Sequence, residues 1–319
     1  MNKKNLSVIK INQQETFDFC PLVSFLSFKR TKSKNYYSTK ITESSETARR
    51  ITFQFNHFST CKPRHTAAVD AAFLSWFIGF VEGDGSFIIC QNKVYFDLSQ
   101  DLRDIGLLYQ IKAALGFGKI LTRTDKHRNV GVFYVTKKEN FIRLAHLFNG
   151  NLVTNYKKKQ FQMWLEVLNK QYKTSIKNIK SDIPPSFNDG WLSGFIDAEG
   201  CFITRVKNCH TSKLGKSVFI DFSITQKQKD ILILIRSLFN IESSQNIRLD
   251  PSWQGYEFYL SNKKKLVPLI NYLNKYALKT KKQADFFSWS KIHKLAMKKV
   301  HLTESGLLHI TKLCNWKKT

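Results

Sequence analysis

The fold is decided by two stretches of similar sequence, Leu74-Ser-Trp-Phe-Ile-Gly-Phe-Val-Glu-Gly-Asp-Gly-Ser-Phe87 and Trp191-Leu-Ser-Gly-Phe-Ile-Asp-Ala-Glu-Gly-Cys-Phe202. Each begins with apolar residues at helical spacing. Each ends in two acids and a glycine, as Glu82-Gly-Asp-Gly85 and Asp197-Ala-Glu-Gly200. A duplicated helix that carries a duplicated carboxylate indicates a two-fold site made by one chain. Such a site suits a substrate with two-fold symmetry, and duplex DNA is one.

Small residues recur four positions apart in both stretches, as Gly79 with Gly83 and Gly194 with Ala198. Residues at this spacing share one face of a helix, and small ones let two helix backbones come close. We therefore expect the two helices to pack against each other through these faces.

The acids before the glycines predict a metal site. Gly85 and Gly200 stand where a left-handed C-terminal cap is expected, so Asp84 and Glu199 close the last turns of their helices. A carboxylate at a helix C-terminus is disfavoured by about 0.3–1 kcal/mol, and two neighbouring carboxylates also repel each other. A divalent cation would offset both effects. Hard oxygen ligands favour Mg²⁺, or another divalent cation such as Mn²⁺.

At this point the chain resembles the LAGLIDADG homing endonucleases, in the monomeric two-motif form encoded by organelle introns. The resemblance covers about two-thirds of the chain and is specific at both motifs. It implies that Asp84 and Glu199 are catalytic acids that bind the metal. It also implies that Glu82 and Asp197 help to cap and pack the motif helices.

The repeat continues beyond the motifs and predicts the fold class. Alternating apolar and polar residues predict four strands in each half, and helical spacing predicts helices between them. The sequence therefore predicts an α+β protein of two pseudo-two-fold-related αββαββα modules, joined by a linker, whose antiparallel sheets form a saddle. The expected boundaries are 1–70 for an N-terminal extension (a targeting, upstream-frame or disordered segment), 71–171 for the first module, 172–190 for the linker, 191–300 for the second module and 301–319 for a basic tail.

The predicted elements can be placed along the chain. The strand pairs are Phe87–Cys90 with Val94–Ser99, Lys119–Thr124 with Val130–Thr136, Phe202–Val206 with Val218–Thr225, and Asn246–Leu249 with Gly255–Ser261. The helices after the motifs are Asp104–Leu115, Glu139–Phe148, Lys229–Phe239 and Lys263–Tyr272, and each half closes on another lysine-rich helix.

Lysines that recur at the start of the last helix are candidate catalytic residues. The pattern Lys158-Lys159-Gln160 is repeated as Lys281-Lys282-Gln283. The resembling family places one lysine per half near the scissile phosphate, which implies Lys159 and Lys282. The register leaves neighbouring lysines open, namely Lys157, Lys158 and Lys281.

Polar residues on the strands complete the candidate site. Gln100 and Gln226 end matched strands and correspond to the family position that orients active-site water. Arg, Lys and Gln side chains pair with base edges or with phosphates, and the sequence alone does not sort the two roles. The nucleic-acid-binding candidates are Gln91, Lys93, Arg123, Lys126, Arg128, Arg205, Lys207, Lys213, Lys216, Arg248 and Trp253.

Composition bounds the partners and the compartment. The chain carries 51 Lys and Arg against 24 Asp and Glu, a net charge of +27 that fits a polyanion but does not separate DNA from RNA. Its six cysteines form no Cys-x-x-Cys pair, which favours a reducing compartment over a zinc or disulfide framework. No apolar run is long enough to span a membrane, so no membrane partner is expected.

These observations predict a monomeric, metal-dependent, site-specific endonuclease that cuts double-stranded DNA at a long asymmetric target. The first alternative is an RNA maturase that assists splicing of its own group I intron, with or without cleavage. The second is a non-catalytic DNA-binding relic. The resemblance and the frequent Lys, Asn, Ile and Phe residues, which are typical of an A+T-rich genome, favour the mitochondrion, with the chloroplast as the alternative.

Overall fold

A computed structural model describes residues 51–124, 129–241 and 246–315. Lys126 and Arg128, two of the nucleic-acid-binding candidates, lie outside this range. The described residues fall within one compact unit. Residues 51–70, expected to be part of the extension, belong to this unit. Phe58 is buried there, and the backbone of Gln54 exchanges hydrogen bonds with the amide of Asn151.

The order of helices and strands is nearly the same in the two halves. The first half contains α1 (Asn56–Cys61), α2 (Ala71–Asp84), β1 (Gly85–Cys90), β2 (Lys93–Asp101), α3 (Ile105–Leu115), β3 (Lys119–Thr124), β4 (Asn129–Tyr134), α4 (Lys138–Phe148) and α5 (Asn155–Tyr172). The second contains α6 (Trp191–Glu199), β5 (Gly200–Asn208), β6 (Lys216–Gln226), α7 (Lys229–Ser237), β7 (Ile247–Asp250), β8 (Gly255–Leu260), α8 (Val267–Lys275), α9 (Lys282–Met297) and α10 (Glu304–Asn315).

Each half forms one antiparallel sheet of four strands. The strand orders are β1-β2-β4-β3 and β5-β6-β8-β7, so the two sheets have the same topology. In the central strand β6, Ile220, Phe222 and Ile224 are buried beneath the helices. The residues between them lie on the opposite face of the sheet, because successive side chains of a strand alternate. The predicted two-module α+β architecture is confirmed.

The two motif helices, α2 and α6, cross in direct backbone contact. A Cβ atom on Gly79 would lie 2.0 Å from the carbonyl oxygen of Trp191, and one on Gly194 would lie 1.8 Å from the carbonyl oxygen of Trp76. Any side chain at either glycine would therefore push the helices apart. The close packing predicted from the small residues is confirmed.

The predicted left-handed caps at Gly85 and Gly200 are wrong. Gly85 has φ −87° and ψ 158°, and Gly200 has φ −79° and ψ 151°, both of them extended. The chain runs from each motif helix straight into a strand, so no reversal is needed. Glycine fits there because a Cβ atom would lie 2.6 Å from a methyl group of Val81 or Ile196.

The structure also moves one helix start. Helix α8 begins at Val267 and not at Lys263. Pro268 has no backbone N–H, so it is tolerated in the first turn of a helix, where that N–H would have no intrahelical acceptor. None of the described helices combines the length and apolarity needed to cross a membrane.

Candidate functional site

The predicted acids lie together where the motif helices end. Asp84 closes α2 and Glu199 closes α6. The two ends are so close that a Cβ atom on Gly83 would lie 3.1 Å from Cγ of Glu199. Asp84 and Glu199 therefore form a single cluster at the junction of the two halves.

Each acid has a glutamine partner from the neighbouring strand. Gln100, near the end of β2, donates a hydrogen bond from Nε2 to Oδ2 of Asp84 at 2.6 Å. A side-chain hydrogen bond from Gln226, at the end of β6, lowers the pKa of Glu199. The structure brings both predicted glutamines to the acids, because β2 and β6 end beside the motif-helix C-termini.

Burial raises the pKa of both acids. The pKa of Asp84 rises to about 6 because its carboxylate is desolvated, although Gln100 and the nearby Lys282 and Lys157 oppose the rise. The pKa of Glu199 rises to about 7 because of burial and then because of the negative charge of Asp84. A buried carboxylate whose pKa is raised further by a second carboxylate forms a site that favours a bound cation.

One lysine from each half reaches the same cluster. Lys157, in the first turn of α5, is buried and donates from Nζ to the carbonyl oxygen of Gly85. Lys282, at the start of α9, donates from Nζ to the carbonyl oxygen of Ala198 at 2.8 Å. Burial lowers the pKa of both, to about 8 for Lys157. Cations at helix C-termini are favourable, so these lysines also stabilise the ends of the motif helices.

The structure replaces Lys159 by Lys157 as the candidate of the first half. Lys159 is exposed on α5. Lys158 points towards the linker and donates to the carbonyl oxygen of Ser181 at 2.8 Å. Lys281 is directed away from the cluster to Asp104, 3.7 Å from its carboxylate. The spacing of the strands was the missed signal, because Phe133 and Phe258 are 125 positions apart, as are Lys157 and Lys282.

The other acid of the first motif is a buried hydrogen-bond acceptor. Glu82 receives the backbone N–H groups of Val153 and Thr154, at 3.0 and 2.7 Å, and the hydroxyl of Thr154 at 2.8 Å. The indole N–H of Trp191, from the other motif helix, also donates to Glu82. Since Thr154 is the N-cap of α5, Glu82 fixes the start of the helix that carries Lys157.

The second half repeats this network. Asp197 receives the backbone N–H groups of Lys279 and Thr280, at 2.8 and 3.1 Å, and the hydroxyl of Thr280 at 2.6 Å. The indole N–H of Trp76 donates to Asp197 at 2.8 Å. Sequence reasoning missed the role of the tryptophans, although Trp76 and Trp191 occupy equivalent positions of the two motifs. Each half thus donates one tryptophan N–H to the acid of the other half.

The nucleic-acid-binding candidates in the described range lie on the strands of the two sheets and in their hairpins. Gln91 lies in the β1–β2 turn with φ 48°, and Trp253 lies over Gly255, where a Cβ atom would meet its ring at 1.7 Å. The exposed candidates in the described range are Gln91, Lys93, Arg123, Arg205, Lys207, Lys213, Lys216 and Arg248.

The fold and this cluster define a class of protein: a single chain with two related modules that place two acids, two lysines and two glutamines at their junction. The sequence profile of the LAGLIDADG endonucleases matches residues 77–168 and 192–293. The chain belongs to this family.

Individual relatives support the same assignment. The chain is 40% identical over 241 residues to "Probable intron-encoded endonuclease 4" of Neurospora crassa, across 75% of this chain and 43% of that protein. It is 26% identical to "Intron-encoded RNA maturase bI4" of Saccharomyces cerevisiae, across 86% of this chain and 46% of that protein. It therefore spans less than half the length of these two relatives.

Solved structures share the fold. The I-LtrWI LAGLIDADG homing endonuclease, crystallised with its target DNA, is similar with a TM-score of 0.64 and 24% identity, across 77% of this chain and 98% of that one. The LAGLIDADG meganuclease I-AabMI, crystallised with uncleaved DNA, gives a TM-score of 0.62 at 24% identity, across 76% and 98%.

Proposed function

We propose that this protein is a site-specific endonuclease that cuts both strands of duplex DNA at a long asymmetric target. The observation that carries this function is the duplicated cluster at the junction of the motif helices, in which each half contributes one acid, one lysine and one glutamine. A pair of such centres matches the two phosphodiester bonds, one in each strand, that must be cut to break a duplex. The two sheets differ in sequence, so the target is expected to be asymmetric.

The residues present fit a divalent cation. Asp84 and Glu199 are hard oxygen ligands at the negative ends of two helices, and the charge of Asp84 disfavours the ionised form of Glu199. Among the described residues, no group of three or more His, Cys, Asp or Glu side chains is arranged to hold a metal ion. We propose Mg²⁺, or Mn²⁺ in its place, held by Asp84 and Glu199. When bound, the ion would activate a water nucleophile and stabilise the leaving oxygen.

The side chains around the acids would position the substrate and the water. Gln100 and Gln226 hold the carboxylates through their amide N–H groups, which leaves the amide oxygens available to orient a water molecule. Lys157 and Lys282 would stabilise the negative charge that develops on the phosphate oxygens in the transition state. Both lysines are held against backbone carbonyls, so their positions are set before the substrate binds.

The names of the relatives support this function and its cellular setting. Relatives named as intron-encoded endonucleases occur in Neurospora crassa and Schizosaccharomyces pombe, and one relative of Saccharomyces cerevisiae is named as a mitochondrial protein. We propose a monomer that acts in the mitochondrion. The similarity to a protein named as an RNA maturase makes intron RNA the second candidate substrate.

A randomised duplex library tests the proposed function. The protein is incubated with the library and Mg²⁺, with EDTA and the Asp84→Asn variant as controls, and the cut molecules are sequenced. Recovery of one long asymmetric site, cut only by the wild-type protein and only with the cation, is the expected result. Selective binding without cleavage would contradict catalysis and make the intron RNA the next substrate. Equal cutting by Asp84→Asn would contradict the site.

A further inference from the structure

The second sheet carries an acid on the face that would lie against DNA. Asp221 alternates along β6 with the buried residues Ile220 and Phe222, so it lies on the face opposite the helices. Its side chain is only 1% exposed, although that face is open. A carboxylate on such a face repels phosphate, which makes its presence on a chain of net charge +27 a feature to explain.

Asp221 belongs to a diagonal row that crosses the whole sheet, in which neighbours are offset along their strands and are not direct cross-strand partners. With the strand order β5-β6-β8-β7, the row takes one residue from each strand: Arg205, Asp221, Tyr259 and Arg248. We call these four residues the arginine row. An arginine stands at each edge of the sheet, with the acid and the tyrosine between them.

Contacts within the arginine row hold both guanidinium groups. Arg205 donates from Nη2 to Oδ2 of Asp221 at 2.7 Å and to the hydroxyl of Tyr259 at 3.3 Å. The guanidinium carbon of Arg248 lies 4.6 Å from the ring centroid of the same tyrosine. The Arg205 side chain is still 44% exposed, so part of its N–H surface is available to a ligand while its position is fixed.

This arrangement favours base recognition over phosphate binding by Arg205. Affinity for phosphates depends on net positive charge and on the release of counterions. Because Asp221 neutralises Arg205, the pair adds little net charge. What the pair provides is direction, and a planar guanidinium in a fixed direction is the commonest partner of O6 and N7 of guanine in the major groove.

The exposed lysines of the β5–β6 hairpin provide a contrast within the same sheet. Lys213 and Lys216 lie exposed beside Gly215, which has φ 64° in the turn. A flexible ammonium group acts as a point charge and suits phosphate oxygens of any sequence. The second sheet therefore offers both kinds of contact, and they should differ in salt dependence.

We propose that Asp221 is a specificity-determining residue, which positions Arg205 to select one guanine in the part of the target that lies against the second sheet. This inference rests on the proposed function, since it requires a duplex in contact with the open faces of the sheets.

Binding to single-base variants of the target tests this role. The target recovered from the random library is bound without divalent cation, at several salt concentrations, to the wild type, Arg205→Ala, Arg205→Lys, Asp221→Asn and the control Lys213→Ala. We expect the first three variants to lose about tenfold in preference for guanine at the same single base pair, with an unchanged salt slope in the two Arg205 variants. The control should weaken all sequences alike and reduce the slope by about one.

The outcomes separate the inference from the proposed function. A uniform loss of affinity in Arg205→Ala, with a slope reduced by about one, would make Arg205 a phosphate contact and overturn the inference. Retained guanine preference in Asp221→Asn would overturn it as well. Thermal melting checks that Asp221→Asn is folded, and Arg205→Lys gives an independent test at an exposed position. If the wild type binds no duplex selectively, the proposed function fails too.

Discussion

The two halves of the protein build the same cluster with different chemistry. In the first half the acid is Asp84, whose pKa is about 6, and in the second it is Glu199, whose pKa is about 7. The longer side chain of Glu199 lies against the first motif helix, at the position of Gly83. The two acids therefore occupy equivalent positions in the two halves, but their pKa values differ. Two centres that differ in this way are expected to cut their strands at unequal rates.

The lysines show the same kind of difference. Lys157 binds the carbonyl of Gly85, the first residue after its motif helix, whereas Lys282 binds the carbonyl of Ala198, inside the last turn of the other helix. Lys157 thus binds the carbonyl of the residue after Asp84, whereas Lys282 binds the carbonyl of the residue before Glu199. The halves are related by an approximate two-fold axis, and substitutions at matched positions show how far the relation extends to function.

The largest expected effects are on the cleavage rate. Lys157→Met and Lys282→Met should each slow cleavage of one strand about 100- to 1,000-fold, because each removes one charge that stabilises the transition state. The strand affected by Lys157→Met should be the opposite of the strand affected by Lys282→Met. Lys159→Met is the matched control and should cleave at nearly the wild-type rate, since Lys159 is exposed. Rate constants for each labelled strand check this. Equal damage from Lys159→Met would restore the register expected from sequence.

The next largest effect is on the contact between the halves. Gly79→Ala and Gly194→Ala should each lower the free energy of unfolding by about 3 kcal/mol, since their Cβ atoms would meet backbone carbonyl oxygens at 2.0 and 1.8 Å. Gly106→Ala in α3 is the control. Nothing lies within 4 Å of its Cβ, so it should stabilise the protein by roughly 0.5–1 kcal/mol. Urea denaturation measures all three. Wild-type stability in the first two would contradict the direct backbone contact.

The pH dependence of stability compares the two acids directly. In the folded protein Asp84 and Glu199 keep their protons up to about pH 6 and about pH 7. The folded state therefore binds more protons than the unfolded chain from about pH 4 upwards. The free energy of unfolding should fall as the pH rises to about 7, by roughly 3 kcal/mol per carboxyl.

Variants assign this fall to the two acids. Without divalent cation, Asp84→Asn should flatten the lower part of the window and Glu199→Gln the part up to about pH 7. Asp101→Asn is the control, because hydrogen bonds from Arg103 lower the pKa of Asp101, so its dependence has the opposite sign and lies below about pH 4, outside this window. Urea denaturation at each pH is the measurement. Curves for the two site variants that parallel the wild type would show that the acids are not desolvated.

The smallest expected effect concerns the bonds that cross between the motifs. Trp76→Phe and Trp191→Phe each remove one N–H donor from a buried acid, Asp197 or Glu82, and should lower the free energy of unfolding by about 1–2 kcal/mol. The two losses should be similar, because each acid keeps its donors from its own half. Thermal unfolding measures both. A loss in only one variant would show that the two networks are not equivalent.

The fold and the position of the two acids at the ends of the motif helices could be predicted because their signals are local and occur twice. Helical spacing, alternation in the strands and the repeated small residues each depend on neighbours in the chain. The lysine register could not be predicted in this way. A run of three lysines contains no sign of which one is buried. Lys157 is the buried lysine because α5 starts at its N-cap, Thr154, which sets the direction of each side chain that follows. The hydroxyl of Thr154 in turn donates a hydrogen bond to Glu82.

Long-range contacts account for most of the remainder. The cap conformation of Gly85 differs from the expectation because the strand that follows begins at once. The bond from Trp191 to Glu82 joins residues 109 positions apart, and the bond from Trp76 to Asp197 spans 121. Such pairs are set by how the two helices cross, and only their equivalent positions in the repeat pointed to them.

We propose that the two acids of this duplicated chain form a paired site in which each acid serves one DNA strand. The most direct test is strand-resolved cleavage of the selected target by the wild type, Asp84→Asn and Glu199→Gln. We expect neither variant to make a double-strand break at a measurable rate, and each to retain duplex binding within about tenfold of the wild type. Cleavage of both strands at the wild-type rate by either variant would contradict it.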